Sequence, residues 1–358
     1  MALILAGGTG GHVYPALAVA EHLRNQGWQV VWLGTRRGLE ARVVPRHDID
    51  IRFVWISGLR GKGWLSWLLA PFKLLVALTQ CLAIVRQVRP QAVLGMGGFV
   101  AGPGALAAWI LGKPLLIHEQ NAIPGLTNRL LAPLAQGVME AFPGTFPPRR
   151  KAHHTGNPVR QAIVDLPPPK QRLANRADDP LRLLVLGGSQ GARTLNTVVP
   201  EALAALESAQ SVQVWHQVGP DQLESTRQRY RVAAVAAAEL TPFIEDMAAA
   251  YGWADVVLCR AGAMTIAELA AAGAAAILVP FPFAVDDHQS ANARYLAERG
   301  AAILVPQPDL TGARLRSLLG ELGRARGRLL EMAERARRLA VPDATLRVAS
   351  RCREVVYG

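Results

Sequence analysis

The stretch "LILAGGTGGHVYPALAVAEHL", Leu3 to Leu23, decides how this chain is read. Four apolar residues, Leu3 to Ala6, predict a buried strand, and Pro15 followed by alanine-rich helix formers predicts a helix with proline in its first position. The glycines between them then form a strand-to-helix turn. Such a turn aims backbone N–H groups and the positive end of a helix dipole at one spot, which suits a phosphate or another anion. A tight turn that holds no ligand is the plainer alternative.

A second copy of the pattern lies at "LRLLVLGGSQGARTLN", Leu181 to Asn196, with Gly187-Gly188-Ser189-Gln190-Gly191 as its loop. Two strand–glycine-loop–helix units so far apart predict two doubly wound α/β domains. The proline- and charge-rich stretches "PGTFPPRRKAHHTGNPVR" and "DLPPPKQRLANRADDP" mark a boundary near Gly156 to Pro180. Downstream, "ADVVLCRAGAMTIAELAAAGAAAILVPFP" reads strand, loop, helix, helix stop at Gly273 and strand again, an alternation that predicts a parallel sheet.

The 358 residues are 51% hydrophobic, enough for two cores, and a formal charge of +12 points to anionic partners. Aromatic residues are few and not interleaved with the arginines, which ranks nucleic acid low. Cys81, Cys259 and Cys352 are odd in number and widely spaced, which fits a reducing compartment rather than disulfides or a metal site. The chain enters a strand almost at once, so no export signal is expected. A dinucleotide enzyme is the first rival. The G-x-G-x-x-G fingerprint fails at Val13, and the second strand, "WQVVWLGTRRG", is read as followed by no acid, although Arg36 and Arg37 would suit a 2′-phosphate.

A third glycine cluster, "LGMGGFVAGPG" (Leu94 to Gly104), precedes "KPLLIHEQNAIPGLTNRLLA", where His118, Glu119, Gln120 and Asn121 close a buried strand. Strand ends border the ligand crevice of an open α/β sheet, so these groups are candidates for substrate contact; strand and helix capping is the alternative, Asn121 being a good cap residue. Thr265-Ile266-Ala267-Glu268 likewise satisfies a capping box, and its glutamate has two acceptor oxygens suited to a vicinal diol.

Taken in order, "AGGTGGHVYPALAVA", "GMGGFVAGPG", "HEQNAIPGLTNRLLA", "GNPVR", "GGSQGARTLN" and "DDHQSANA" give a chain that resembles the MurG family of bacterial N-acetylglucosaminyltransferases from about Leu3 to Val348. The resemblance implies a GT-B architecture, two doubly wound Rossmann-like domains with a cleft between them. It also implies inverting transfer of N-acetylglucosamine from UDP to the undecaprenyl-linked acceptor lipid I, giving lipid II for peptidoglycan and so serving cell shape and division. No metal and no cofactor are implied. Residues 1–157 would form the acceptor- and membrane-facing domain, with a helix at 343–358 packed back on it, and residues 158–342 the UDP-sugar domain. The location implied is peripheral, on the cytoplasmic face of the inner membrane.

The resemblance also assigns roles. Ser189 would meet the UDP diphosphate, Arg160 would bring charge to the nucleotide, Ile244 with Phe243 and Met247 would wall the uracil, and Ala263, Met264, Thr265, Ile266 and Ala267 would bind the UDP-sugar together with Glu268, which would hold the ribose hydroxyls. Gln289 and Asn292 would bind sugar hydroxyls, and Asn121 would reach the donor. Since the donor diphosphate has its own loop, Thr9, Gly10 and Gly11 are expected to hold mainly the acceptor diphosphate, with some donor contact. His12 follows that loop and is the expected base, because imidazole titrates near neutrality; Glu119 is the fallback, and a structural His12 the alternative. Phe99 stands where relatives often have tyrosine, which removes any phenol chemistry and keeps ring packing. Other readings are a GT-B transferase with another acceptor and a non-catalytic sugar-nucleotide binding protein.

"SGLRGKGWLSWLLAPFKLLVALTQCLAIVRQVR", Ser57 to Arg89, is apolar but interrupted by Pro71, Lys73 and Gln80, and is not expected to span a bilayer. Trp64 and Trp67, flanked by Arg60 and Lys62 and followed by Lys73, form the aromatic and cationic mixture of an interfacial anchor on an anionic membrane; an ordinary crossover helix is the alternative.

Overall fold

Strand β1 (Ala2–Leu5) is buried at every position, as befits a strand paired on both edges and covered on both faces. It pairs in parallel with β2 (Val30–Gly34) and with β4 (Ala92–Gly95). Adding β3 (Asp50–Phe53), β5 (Leu115–Glu119), β6 (Gly137–Glu140) and β7 (His153–His154) gives a seven-stranded sheet of order β3-β2-β1-β4-β5-β6-β7. The remaining strands are β8 (Leu181–Leu186), β9 (Val212–Gln217), β10 (Ala238–Thr241), β11 (Val256–Cys259), β12 (Ala275–Leu278) and β13 (Ala302–Leu304). They form a six-stranded sheet of order β10-β9-β8-β11-β12-β13, and every pairing in both sheets is parallel. The two orders are the same doubly wound order, so each sheet has its switch point between its first and fourth strands in chain order.

This computed structural model describes residues 1–56, 70–174, 176, 179–188, 191–206, 212–236 and 238–357. Ser189, Trp64, Trp67, Arg60 and Lys62 therefore lie outside the described residues. The chain divides into one unit of Met1–Arg160 with Val341–Gly358 and a second of Gln161–Ala340.

Within the first unit the strand period of two sorts the core. Ala2 and Ile4 pack with the helix Gly10–Asn25 and with Val348, Ala349 and Cys352 of the C-terminal helix Ala344–Tyr357. Leu3 and Leu5 pack on the opposite face with Cys81 and Val85 of the helix Ala70–Val88 and with Ala101, Ala105 and Ala108. Among the described residues that helix alone is long and apolar enough to cross a membrane by length and composition. Its Ala77, Cys81 and Val85, one turn apart, are fully buried, and the last two belong to that core, so one face is committed to the protein.

Two local expectations are corrected. The first helix begins at Gly10, not at Pro15, because the Thr9 carbonyl accepts from the His12 and Val13 amides at 3.1 and 3.2 Å and closes a turn through the glycines. Pro15 sits buried inside the helix, giving up the bond its missing N–H would make to Gly11. An acid does follow the second strand: Glu40 lies six residues after Gly34, fully buried. It serves the protein itself, accepting from the Thr35 amide (2.9 Å), the Thr35 hydroxyl (2.8 Å) and the Gly8 amide (3.0 Å).

Candidate active site

Ligands of doubly wound sheets bind outside the carboxyl ends of the strands at the switch point. In the first unit that point is flanked by the loop after β1, Ala6 to Thr9, and the loop after β4, Met96 to Phe99. The two loops touch. Gly97 has φ +96°, and a Cβ there would lie 2.6 Å from His12 Cδ2 and 2.9 Å from Nε2, so only glycine lets the imidazole lie against this backbone. A side chain on Gly98 (φ +84°) would strike the Gly7 carbonyl. The Phe99 ring reaches the loop as well, its Cε1 3.6 Å from where a Gly8 Cβ would stand, which is the packing role expected of it. Thr9 is exposed, and its hydroxyl lies 3.4 Å from His12 Nδ1. Thr9, Gly10, Gly11 and the half-buried His12 thus gather at the first turn of a 16-residue helix, whose leading amides have no intrahelical acceptor.

Glu119 is spent on its own loop. It is 2% exposed and accepts from the Asn121 amide (3.0 Å) and Asn121 Nδ2 (3.1 Å) through one oxygen, and from the Gly125 amide (3.0 Å) and Asn128 Nδ2 (2.9 Å) through the other. Four donors on two oxygens make it a brace, and a base needs a lone pair aimed at substrate. Asn121 is not a helix cap: Gly125 precedes the helix Leu126–Leu131, and the Asn121 amide turns back onto Glu119.

His118 and Gln120 are also buried. His118 Nε2 lies 2.9 Å from the Gly156 carbonyl and its Nδ1 3.1 Å from Gln120 Nε2, which also donates to the Met96 carbonyl at 2.8 Å. Asn157 Nδ2 donates to the Gln120 carbonyl at 3.0 Å. The "GNPVR" segment is thereby tied to the strand ends, and Arg160, the exposed last residue of the first unit's main segment, follows it.

In the second unit the switch point lies between the loop after β8 and the loop Arg260 to Gly262 after β11. Gly188 (φ +84°) and Gly191 (φ +75°) shape the first of these, with the Gly191 amide on the Gly188 carbonyl at 3.0 Å. The capping box at Thr265 is overturned. The helix Ala263–Ala272 starts after Gly262, so Thr265 is its third residue and Glu268 its sixth. The Glu268 carboxylate is half-buried and accepts at Oε2 from the Tyr251 hydroxyl at 3.1 Å. Ala263, Met264, Thr265, Ile266 and Ala267 occupy the helix between loop and glutamate, with Ala263 and Ile266 turned into the core.

Other donor-side residues divide by burial. Ile244 and Met247 are buried while Phe243 is 48% exposed, so only the last presents much of its side chain. Gln289 Oε1 accepts from the amides of Ala261 (3.2 Å) and Phe281 (2.9 Å), and the half-buried side chain bridges two loops. Asn292 is fully buried and donates to the Ala261 carbonyl at 3.2 Å, which holds the loop after β11.

The sequence signature of the glycosyltransferase family 28 N-terminal domain matches residues 2–140, and that of the C-terminal domain matches residues 182–348. The chain belongs to glycosyltransferase family 28. It is 58% identical over 356 residues, 99% of both chains, to the Nitrosococcus oceani protein named "UDP-N-acetylglucosamine--N-acetylmuramyl-(pentapeptide) pyrophosphoryl-undecaprenol N-acetylglucosamine transferase". A protein of the same name from Alkalilimnicola ehrlichii is 57% identical over 352 residues, 98% of each. The crystal structure of Acinetobacter baumannii MurG superposes with a TM-score of 0.84 at 44% identity, covering 99% of each chain. Both units are thus domains of the GT-B class.

For this family member, sequence reasoning passed over Glu40 and Tyr251. Glu40 had the best available signal, an acid shortly after a second strand with glycines around it. Gly7, Gly34 and Gly38 each face its side chain where a Cβ would collide. Tyr251 acts through a distant partner and carries no local signal.

Desolvation pushes the His118 imidazole down to about 4, against weaker upward pulls from the Gly156 carbonyl and Glu119. A histidine neutral in the fold and protonated in the unfolded chain lets the unfolded state bind more protons, so stability is full above the ordinary value of 6.5 and falls as pH drops from there toward 4. His118 alone should cost about 3 kcal/mol across that window. Denaturant melts of the wild type and of His118→Gln, which keeps a donor and an acceptor, should differ in pH dependence by about that amount. Parallel curves would show that His118 does not carry the effect.

Proposed function

We propose that this chain transfers N-acetylglucosamine from UDP-N-acetylglucosamine to undecaprenyl-diphosphoryl N-acetylmuramyl-pentapeptide, with inversion, as the names of its full-length relatives indicate for those proteins. The observation that supports this most is that the two motif sets fall at the switch points of two separate sheets. His12 with its glycine loop stands at one, and Glu268 with the Gly188–Gly191 loop at the other.

The second domain, residues 158–342, takes the donor. Glu268 receives the ribose hydroxyls, the Ile244 backbone with Phe243 beside it meets uracil, Ser189 and its loop meet the diphosphate, Arg160 adds charge, and Gln289 meets the sugar. The first domain, residues 1–157 with the helix 343–358, takes the acceptor diphosphate on Thr9, Gly10 and Gly11. His12 removes the proton from the attacking hydroxyl. That oxygen bonds to the sugar anomeric carbon from the face opposite UDP, and the diphosphate leaves with the electron pair, inverting the centre. Helix N-terminal amides and backbone N–H groups stabilise the departing charge.

A lipid-linked acceptor calls for a membrane surface, and the first unit offers one. Phe72, Leu74 and Leu75 stand exposed beside Lys73 on the helix Ala70–Val88, and Trp109, Ile110, Leu126 and Leu130 are exposed on neighbouring segments. These exposed groups support a reading of peripheral attachment to the cytoplasmic face of the inner membrane, in which Trp64 and Trp67 take part. Lys73→Glu, or Trp64 and Trp67 to Ser, should weaken binding to anionic liposomes several-fold and spare activity on a soluble acceptor analogue. Folded variants that still bind the liposomes would remove this surface from the proposal. The function itself is tested by UDP release from UDP-N-acetylglucosamine with and without lipid I. Release that depends on lipid I supports it; release only with a different acceptor would assign another transferase, and no release with any acceptor a binding protein.

A further inference from the structure

The Glu268 reading leaves open what aims its carboxylate. A glutamate ends in an sp³–sp² torsion with a broad, nearly two-fold preference, so a side chain on a helix surface does not by itself present its oxygens in one orientation. The helix cap does not use this group, because the cap position is Gly262. Instead the hydroxyl of Tyr251, from the adjacent helix Met247–Trp253, donates to Oε2 at 3.1 Å. Tyr251 is fully buried, its ring held in the second unit at a point set by the helix rather than by solvent.

We propose that Tyr251 is a positioning residue for donor specificity, fixing the Glu268 carboxylate so that the site demands an intact ribose diol on a nucleoside diphosphate. This rests on the reading of Glu268 as the ribose ligand. A phenol is an uncharged donor throughout the working pH range. It therefore holds the carboxylate without cancelling the charge that strengthens hydrogen bonds to the diol. Two adjacent hydroxyls need two acceptor directions at a fixed separation; a carboxylate held in one rotation supplies them, and one free to rotate loses that match. A nucleotide lacking the 2′ and 3′ hydroxyls gains nothing from the arrangement.

The test is calorimetric binding of UDP and of 2′,3′-dideoxy-UDP to the full-length wild type, Tyr251→Phe, Glu268→Ala and the double variant. Phenylalanine keeps the ring in its seat, and a thermal melt confirms that the fold is kept. Tyr251→Phe should weaken UDP roughly three- to tenfold, the value of one such hydrogen bond, and leave dideoxy-UDP within about twofold. In turnover the donor KM should rise while kcat and the acceptor KM stay put, and in the double variant the phenylalanine should add nothing to the alanine. Equal weakening of both nucleotides, or wild-type discrimination in Tyr251→Phe while Glu268→Ala abolishes it, would overturn the role of Tyr251 and leave Glu268 standing. Discrimination that survives Glu268→Ala would overturn the reading of Glu268 and this inference with it.

Discussion

His12→Ala is expected to lower kcat by roughly 10²- to 10⁴-fold, the usual contribution of a positioned general base. UDP affinity, followed by calorimetry, should change little. The geometry behind this is the packing of the imidazole against Gly97 and beside Thr9, in the first turn of the helix Gly10–Asn25. The four hydrogen bonds that Glu119 accepts from its own loop favour His12 over it as the base. A kcat within a few-fold of wild type would remove His12 from the chemistry. Lost UDP affinity with unchanged acceptor affinity would show that the first glycine loop serves the donor diphosphate.

Glu268→Ala should reduce kcat/KM for the sugar nucleotide by about 2–4 kcal/mol, roughly 30- to 1,000-fold, through the loss of two charge-assisted hydrogen bonds. The acceptor KM should hold. Because Thr265 does not cap the helix, the variant forfeits no capping box, although it gives up the Tyr251 bond. A large drop in melting temperature with normal kinetics would mean that the carboxylate works for the fold and not for the donor.

Both predictions rest on residues that the sequence had already brought forward, and the reason is local. A buried parallel strand is a short apolar run, a glycine loop must follow it where the chain turns tightly into a helix, and both signals are complete within about twenty residues. The strand at Leu3 to Ala6, its counterpart at Leu183 to Leu186 and the strand in "ADVVLC" were legible for that reason, as was a parallel sheet. With two such units, the doubly wound order places polar groups at strand ends near a ligand. His12 and the stretch from Ala263 to Glu268 could therefore be singled out before any coordinates.

Helix starts were less legible, because a cap is decided by which carbonyl an amide can reach. Thr9 and Gly262, both in extended conformation, precede the helices, in place of Pro15 and the Thr265 capping box. What the tertiary structure alone decided is which distant groups meet. His12 rests on Gly97, Glu40 ties Thr35 to Gly8, and Gln120 joins Met96 to His118. Tyr251 meets Glu268, and Asn292 meets the Ala261 carbonyl. Each of these pairs crosses from one strand-end loop or helix to another, and sequence periodicity has no register between separate elements. The sheet brings them together by stacking its strand ends within a few ångströms, so whether a polar side chain meets a ligand or satisfies a buried backbone group is settled only once the neighbouring loop is in place.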